Sequence, residues 1–236
     1  MSFYKKLSQY YDEIFPLGQT QSVFLEKSFE KNSKILDLAA GTGTYTFYLN
    51  EKGYEVDAIE LDHDMCNQFK AKLKDPFELT VFEMDMRLID EFCVKYDGIY
   101  CIGNSIVHLG SLEEIESMIQ KTYDELNDNG TLVIQIVNYD RILDGHITEL
   151  PTIKRPKSNL EFERIYKLED NKVQFVGKLH VQDEIFESVV PLITLRKDVL
   201  KSMLEKSGFK TIEIYGSFNE DTWTDESFAT VIRAVK

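Results

Sequence analysis

The apolar positions of this chain change their period along its length, and the changes divide it. From Ser2 to about Lys31 they recur at helical spacing, with Phe24, Leu25 and Phe29 joining Ser28 on one face. Pro16–Gly18 interrupts the run, so two short helices are expected. Short apolar runs then alternate with helical stretches. Lys34–Leu38 reads as a buried strand entering a glycine-rich loop, Thr44–Lys52 as a helix closed by Gly53, and Tyr54–Ile59 as a second strand. Asp62 is placed to cap a helix running to about Leu73, which Pro76 stops. Phe77–Phe82 and Tyr96–Ile102 follow as strands.

Ser111-Leu-Glu-Glu114 has the spacing of a capping box. The helix it opens carries Ile115, Met118, Ile119, Tyr123 and Leu126 on one side, and Asp128-Asn-Gly130 turns the chain into a fifth strand, Thr131–Val137. This rhythm of strand and helix means βαβ units and a parallel sheet. It breaks after Asn138. Leu160–Leu168, Val173–Val181 and Ile185–Leu195 are strand-like with no helix between them, and Asp170-Asn171 is the turn joining the first two. Helical period returns over Lys197–Ser207, through Val199, Leu200, Met203 and Leu204, and ends at Gly208. Phe209–Tyr215 and Ser227–Val235 are two final strands. The pattern predicts an α/β chain with seven core strands and a small antiparallel β insert after strand five. Residues 1–150 and 195–236 make the main domain, and 151–194 the inserted meander.

Length and composition sharpen this picture. The 236 residues suffice for one α/β domain with an insertion and a core that needs no disulfides. The net charge of −14 repels phosphate backbones, so no nucleic-acid partner is expected, and it favours cationic or zwitterionic ligands at encounter. Cys66, Cys93 and Cys101 form no C-x-x-C pair and read as free thiols of a reducing compartment, which points to the cytoplasm. His63, His108, His146 and His180 have no zinc-site spacing, and no metal is expected. The N-terminus lacks the apolar run of a signal peptide, and no stretch approaches the ~20 apolar residues of a membrane helix.

The chemistry concentrates in Ile35-Leu-Asp-Leu-Ala-Ala-Gly-Thr-Gly-Thr44. A buried strand delivers the chain to Gly41 and Gly43, whose freedom lets the backbone turn tightly against a ligand, and then to a helix. Glu60 follows nineteen residues after Gly41, at the end of the second strand, where a carboxylate can accept both hydroxyls of a ribose. A dinucleotide oxidoreductase needs a third glycine where Thr46 stands, and Tyr45–Thr46 gives a pyrophosphate no room.

ILDLAAGTGTYTFYL resembles the first motif of class I S-adenosylmethionine-dependent methyltransferases, with Ala39 where that family often has glycine. AIELDHDM is similar to its second motif, FEMDMR to the segment whose acid meets the adenine amino group, and YDGIYCIGNSIVHL to the strand and loop that follow. The resemblance implies a Rossmann-like, mostly parallel sheet of seven strands with the last antiparallel, and S-adenosyl-L-methionine as cofactor. It places Ala39, Ala40, Gly41, Gly43, Glu60, Leu61, Asp62, Met65, Asp85, Met86, Ile102, Gly103, Asn104 and His108 at the cofactor. Each has a plainer alternative: Asp62 as a helix cap, Met65 as core, Asp85 as a solvated loop residue, and Cys101 as packing.

Ile102-Gly-Asn-Ser-Ile-Val-His-Leu109 and Val137-Asn-Tyr-Asp-Arg-Ile-Leu143 are similar to segments of the glycine and sarcosine N-methyltransferases. The likeness implies Asn138 as an acceptor-binding residue, with Tyr10 and Arg141 beside it. It also implies that Tyr10-Tyr11-Asp12 belongs to a helix closing over the cofactor, with Tyr11 touching it, and that the insert is the acceptor lid. That family holds its amino-acid carboxylate with an arginine, for which Arg141, Arg155 and Arg164 all qualify. No catalytic base is identified. The expected reaction is methyl transfer to a small polar metabolite, an amine or amino acid. A protein or RNA acceptor, or a module that binds the cofactor without turnover, stays open.

Overall fold

A computed structural model describes residues 3–75, 79–169 and 172–236. In chain order the elements are α1 (Phe3–Ile14), α2 (Gln19–Ser28), β1 (Lys34–Leu38), α3 (Thr44–Glu51), β2 (Glu55–Glu60), α4 (His63–Lys72), β3 (Thr80–Glu83), β4 (Tyr96–Cys101) and α5 (Leu112–Glu125). They continue as β5 (Leu126–Val137), α6 (Tyr139–Asp144), β6 (Glu149–Arg155), β7 (Leu160–Glu169), β8 (Lys172–Val181), β9 (Glu184–Ile193), α7 (Lys197–Ser207), β10 (Thr211–Tyr215) and β11 (Ala229–Val235). Short 3₁₀ turns, Met86–Glu91 and Ile106–His108, follow β3 and β4.

Seven strands form the main sheet in the order β10-β11-β5-β4-β1-β2-β3. β1 pairs parallel with β2 and β4, β2 with β3, and β4 with β5. β11 runs antiparallel to both its neighbours, β5 and β10. This is the Rossmann-like arrangement expected, with its reversed last strand. Alternation along each strand sends side chains to opposite faces. Leu36, Leu38, Ile99, Ile134 and Ile136 join the core under α5 and α7, whereas Ile35, Tyr100 and Val133 join the core under α2, α3 and α4.

A second sheet, β6-β7-β8-β9, is antiparallel throughout. The apolar pattern predicts three of its strands and misses β6. The reason is physical: β6 is an edge strand containing Pro151, which donates no ladder hydrogen bond, and the register shifts between Leu150 and Ile153. The six-residue α6 is also missed, being too short to show a period. β5 begins at Leu126, so that residue leaves the expected helix; the turn survives as a left-handed Asn129 (φ 64°) at an irregularity in the pairing with β4. The third strand starts later than expected, at Thr80, and β4 stops at Cys101. Ser2, the Pro76 stop, Phe77 and the Asp170-Asn171 turn lie outside the described residues.

Caps fix the helix starts. The Asp62 carboxylate accepts the Met65 amide at 2.9 Å, and Ser111 Oγ accepts the Glu114 amide at 3.2 Å. The return half of the expected capping box lands one residue early, with Glu114 accepting from the Gly110 amide at 3.1 Å. α1 packs Leu7 and Ile14 between Met65 of α4 and Leu160, Phe162 and Leu179 of the second sheet. Arg155 caps its end, donating to the carbonyls of Glu13 (2.6 Å) and Ile14 (2.9 Å).

Candidate active site

The loop after β1 turns through positive φ at Ala39 (64°), Gly41 (59°) and Gly43 (82°). A β-carbon at Gly43 would stand 2.3 Å from the Phe69 ring of α4, so only glycine fits. At Gly41 the nearest atom to such a carbon belongs to Tyr11 of α1, 3.3 Å away, which places the Tyr11 ring across the loop. Burial and the nearby Glu60 carboxylate push the Tyr11 phenol well above its ordinary value, so it stays a neutral donor. Asp12 ties α1 down. It accepts from the Thr42 hydroxyl and, at 3.0 Å, from Thr44, and it pairs with Lys72 of α4.

Glu60, at the end of β2, is buried with its carboxylate turned to this loop. Oε2 accepts the Gly41 amide and Oε1 the Asp62 amide, both at 2.7 Å. Burial raises its pKa, and hydrogen bonds from the Asp62, Gly41 and Leu61 amides oppose the rise. A carboxylate has about four acceptor positions. At least one therefore remains beyond the backbone amides that it holds. The Ala40 amide, bonded to the Ile59 carbonyl at 2.9 Å, fixes the spacing between loop and strand.

A cleft of about 330 Å³ opens beside the loop. Five expected residues line it: Ala39, Leu61, Asp85, Met86 and His108. So do Ile59, Met84, Arg87, Leu109, Gly110 and Glu114, which sequence reasoning missed, although Arg87 directly follows the quoted Asp-Met pair. The walls are mostly apolar, suited to a flat base. Asp85 Oδ1 accepts the Arg87 amide at 2.9 Å and Oδ2 accepts the guanidinium, whose hydrogen bonds and, less, charge hold the carboxyl below its ordinary value. The protein around His108 lowers its pKa by desolvation, which favours the neutral ring.

Behind the loop, Asp37 of β1 is a residue the sequence reading passed over, although a charge inside a buried strand is a signal. Its Oδ2 accepts from Thr46 Oγ1 and from the Tyr100 hydroxyl, each at 2.6 Å. Burial pushes its pKa up to about 7 against those two bonds.

The remaining expected residues separate. Asp62 caps α4 through Oδ1, and Met65 is buried against Leu7 and Ile14 of α1. Ile102, Gly103 and Asn104 form the turn after β4. Gln135 holds this turn through the Gly103 and Asn104 amides, and Asn104 Nδ2 donates to the Tyr139 hydroxyl at 3.1 Å. Asn138, expected at the acceptor, is fully buried and fully bonded. Oδ1 accepts from the amides of Asp140 (3.1 Å) and Arg141 (3.3 Å), capping α6, and Nδ2 donates to the carbonyls of Thr224, Asp225 and Ser227. No bonding capacity is left for a ligand, so its place is that of a structural cap holding the loop before β11. Arg141 stacks on Phe228, 4.4 Å from the ring centroid, and Tyr10 packs beside Lys6 against the second sheet. Arg141 meets the Asn138 side chain through its backbone amide alone, while its guanidinium lies on Phe228.

Among the three arginines, Arg155 is spent on α1. Arg164 differs. By strand alternation it shares a face of β7 with the buried Phe162 and Tyr166. Nη2 donates to the Pro151 carbonyl at 2.8 Å, the buried Nε has no partner, and no carboxylate pairs with it among the described residues. Desolvation lowers its pKa. Tyr166 lies near enough to both Arg164 and the buried Tyr139 to feel their charge.

Among the described residues no group of His, Cys, Asp and Glu is arranged to hold a metal, and no helix is long and apolar enough to cross a membrane. Residues 35–130 match the family described as a methyltransferase domain. The chain is 29% identical over 213 residues to a glycine/sarcosine N-methyltransferase of Aphanothece halophytica, covering 89% of this chain and 79% of that one. It is 31% identical over 195 residues to a glycine/sarcosine/dimethylglycine N-methyltransferase of Actinopolyspora halophila, covering 81% of this chain and 34% of that much longer one. In structure it is similar, with a TM-score of 0.81 at 16% identity and 98% coverage of both chains, to an S-adenosylmethionine-dependent methyltransferase from Clostridium acetobutylicum.

Proposed function

The chain belongs to the class I S-adenosylmethionine-dependent methyltransferases, and from that premise we propose that it methylates the amine nitrogen of a small polar metabolite that also carries a carboxylate. The carrying observation is Arg164, a guanidinium with a buried unpartnered Nε and no acidic partner among the described residues, set beside Tyr166 under the second sheet. A buried donor without an acceptor costs free energy, which a bound carboxylate recovers. The named activity of the two relatives supports the same acceptor class.

The site residues fit the cofactor. Glu60 offers the ribose a carboxylate acceptor, the Gly41–Gly43 loop lets a ligand approach the backbone, and the cleft past Leu61 takes the base, with Asp85 in its lining. When bound, the cofactor supplies a methyl group on a positively charged sulfur. The protein's contribution is alignment. Tyr11 and α1 cover the loop and exclude water. Arg164 anchors the acceptor's far end. The Tyr139 and Tyr166 hydroxyls, both with pKa values raised by burial, offer neutral hydrogen-bonding groups along the way. The sheet β6–β9 acts as the acceptor lid, bearing Arg164 and packing on α1. The acidic net charge favours a small zwitterion over nucleic acid.

Incubation of the purified protein with methyl-labelled cofactor and paired substrates, glycine against methylamine and sarcosine against dimethylamine, tests the reading. Label should enter the carboxylated member of each pair. Label appearing only in protein or tRNA overturns it.

A further inference from the structure

Asp85 is gripped by its neighbour. Oδ1 accepts the Arg87 amide at 2.9 Å, and Oδ2 accepts Nε at 3.0 Å and Nη2 at 2.6 Å. The remaining arm of the fork, Nη1, donates to Glu114 Oε2 at 3.1 Å, and the same oxygen accepts the Gly110 amide at 3.1 Å. The bonds thus run from the 3₁₀ turn after β3 to the start of α5, and both segments line the cleft, with Met84, Asp85, Met86 and Arg87 from the first and Gly110 and Glu114 from the second. Of the roughly four acceptor positions of a carboxylate, Arg87 fills three at Asp85 and leaves one, on Oδ1.

We propose that Arg87 is a positioning and specificity residue of the cofactor site: it fixes Asp85 as an ionised acceptor with one open position, matched to a 6-aminopurine, and through Glu114 it straps the cleft closed over the base. This rests on the reading of that cleft as the base end of the cofactor site. The exocyclic amine of a 6-aminopurine donates to the open position. A 6-oxopurine turns a carbonyl to the same place, where two acceptors meet with no proton between them. Arginine's planar fork serves both carboxylates at once, which a lysine ammonium cannot do with the same geometry.

Calorimetric titration with S-adenosylhomocysteine and its inosine counterpart, on the intact protein and on Arg87→Ala, Arg87→Lys, Glu114→Gln and Asp85→Ala, tests this. Arg87→Ala should bind the adenosyl ligand roughly tenfold more weakly, as expected for the loss of one charge-assisted bond, and lose most of its preference over the inosyl one. Arg87→Lys should regain part of the affinity. The KM for cofactor should rise in Arg87→Ala while kcat at saturation holds. Glu114→Gln should release the ligand faster in stopped flow with discrimination intact; an unchanged release rate overturns the strap. If Arg87→Ala retains affinity and discrimination while Asp85→Ala loses both, Arg87 has no such role. If Asp85→Ala also retains both, the base is not read in this cleft, and the cofactor-site reading fails with it.

Discussion

The Glu60 carboxylate accepts the Gly41 amide at 2.7 Å, bonding the end of β2 to the loop that follows β1. One side chain therefore shapes the loop and, on the function proposed above, is also the ribose acceptor. Glu60→Gln should weaken S-adenosylmethionine binding by about 1.5–3 kcal/mol, the size of a lost charge-assisted hydrogen bond, and should also lower thermal stability, because an amide NH₂ now faces a backbone N–H. Calorimetry and melting curves read the two effects. A variant with native affinity removes Glu60 from the ribose site.

Gly43→Ala should be more damaging than Gly41→Ala. Both positions have positive φ, but only at Gly43 does the added carbon meet the Phe69 ring, at 2.3 Å. We expect a loss of about 1–2 kcal/mol from the backbone alone, and more from displacing α4. Chemical denaturation of the two variants side by side checks the ranking.

Asn138→Ala should act on stability. The side chain caps α6 and gathers the Thr224, Asp225 and Ser227 carbonyls, so its removal should cost about 1–3 kcal/mol in unfolding free energy. An acceptor KM that rises at native stability would return Asn138 to the substrate site.

Arg164→Met should raise the acceptor KM at least tenfold, the effect of about 1.4 kcal/mol, and leave the cofactor dissociation constant alone. Equal loss of cofactor binding would instead make Arg164 part of the fold's support.

Asp37 makes stability depend on pH. Its folded pKa is about 7 against 3.8 ordinarily, so the folded state holds the extra proton between those values. Stability should therefore fall as pH rises from about 4 to 7 and then level off. In Asp37→Asn this component should vanish, and the gap in melting temperature between the variant and the native protein should widen from pH 5 to pH 8.

The sequence by itself determined the doubly wound sheet. Its evidence is local and periodic: buried runs such as Lys34–Leu38, caps at Asp62 and Ser111, glycines at 41 and 43, and an acid at a strand end. Each is decided by the chain's own neighbours within a few residues, so each is legible before folding. Tertiary structure decided which polar groups are left over. Asn138 stands at the right strand end, yet the loop at Thr224–Ser227 consumes its side chain from far along the chain. Arg155 and Arg164 look alike in sequence, but the end of α1 takes one and nothing charged meets the other among the described residues. The Asp85 position was legible, while its grip by Arg87, and the bond from Arg87 to Glu114, depend on how the turn after β3 packs against the start of α5. Whether a donor is satisfied is a property of all the atoms within about 3 Å of it. Only the packed chain brings those atoms together.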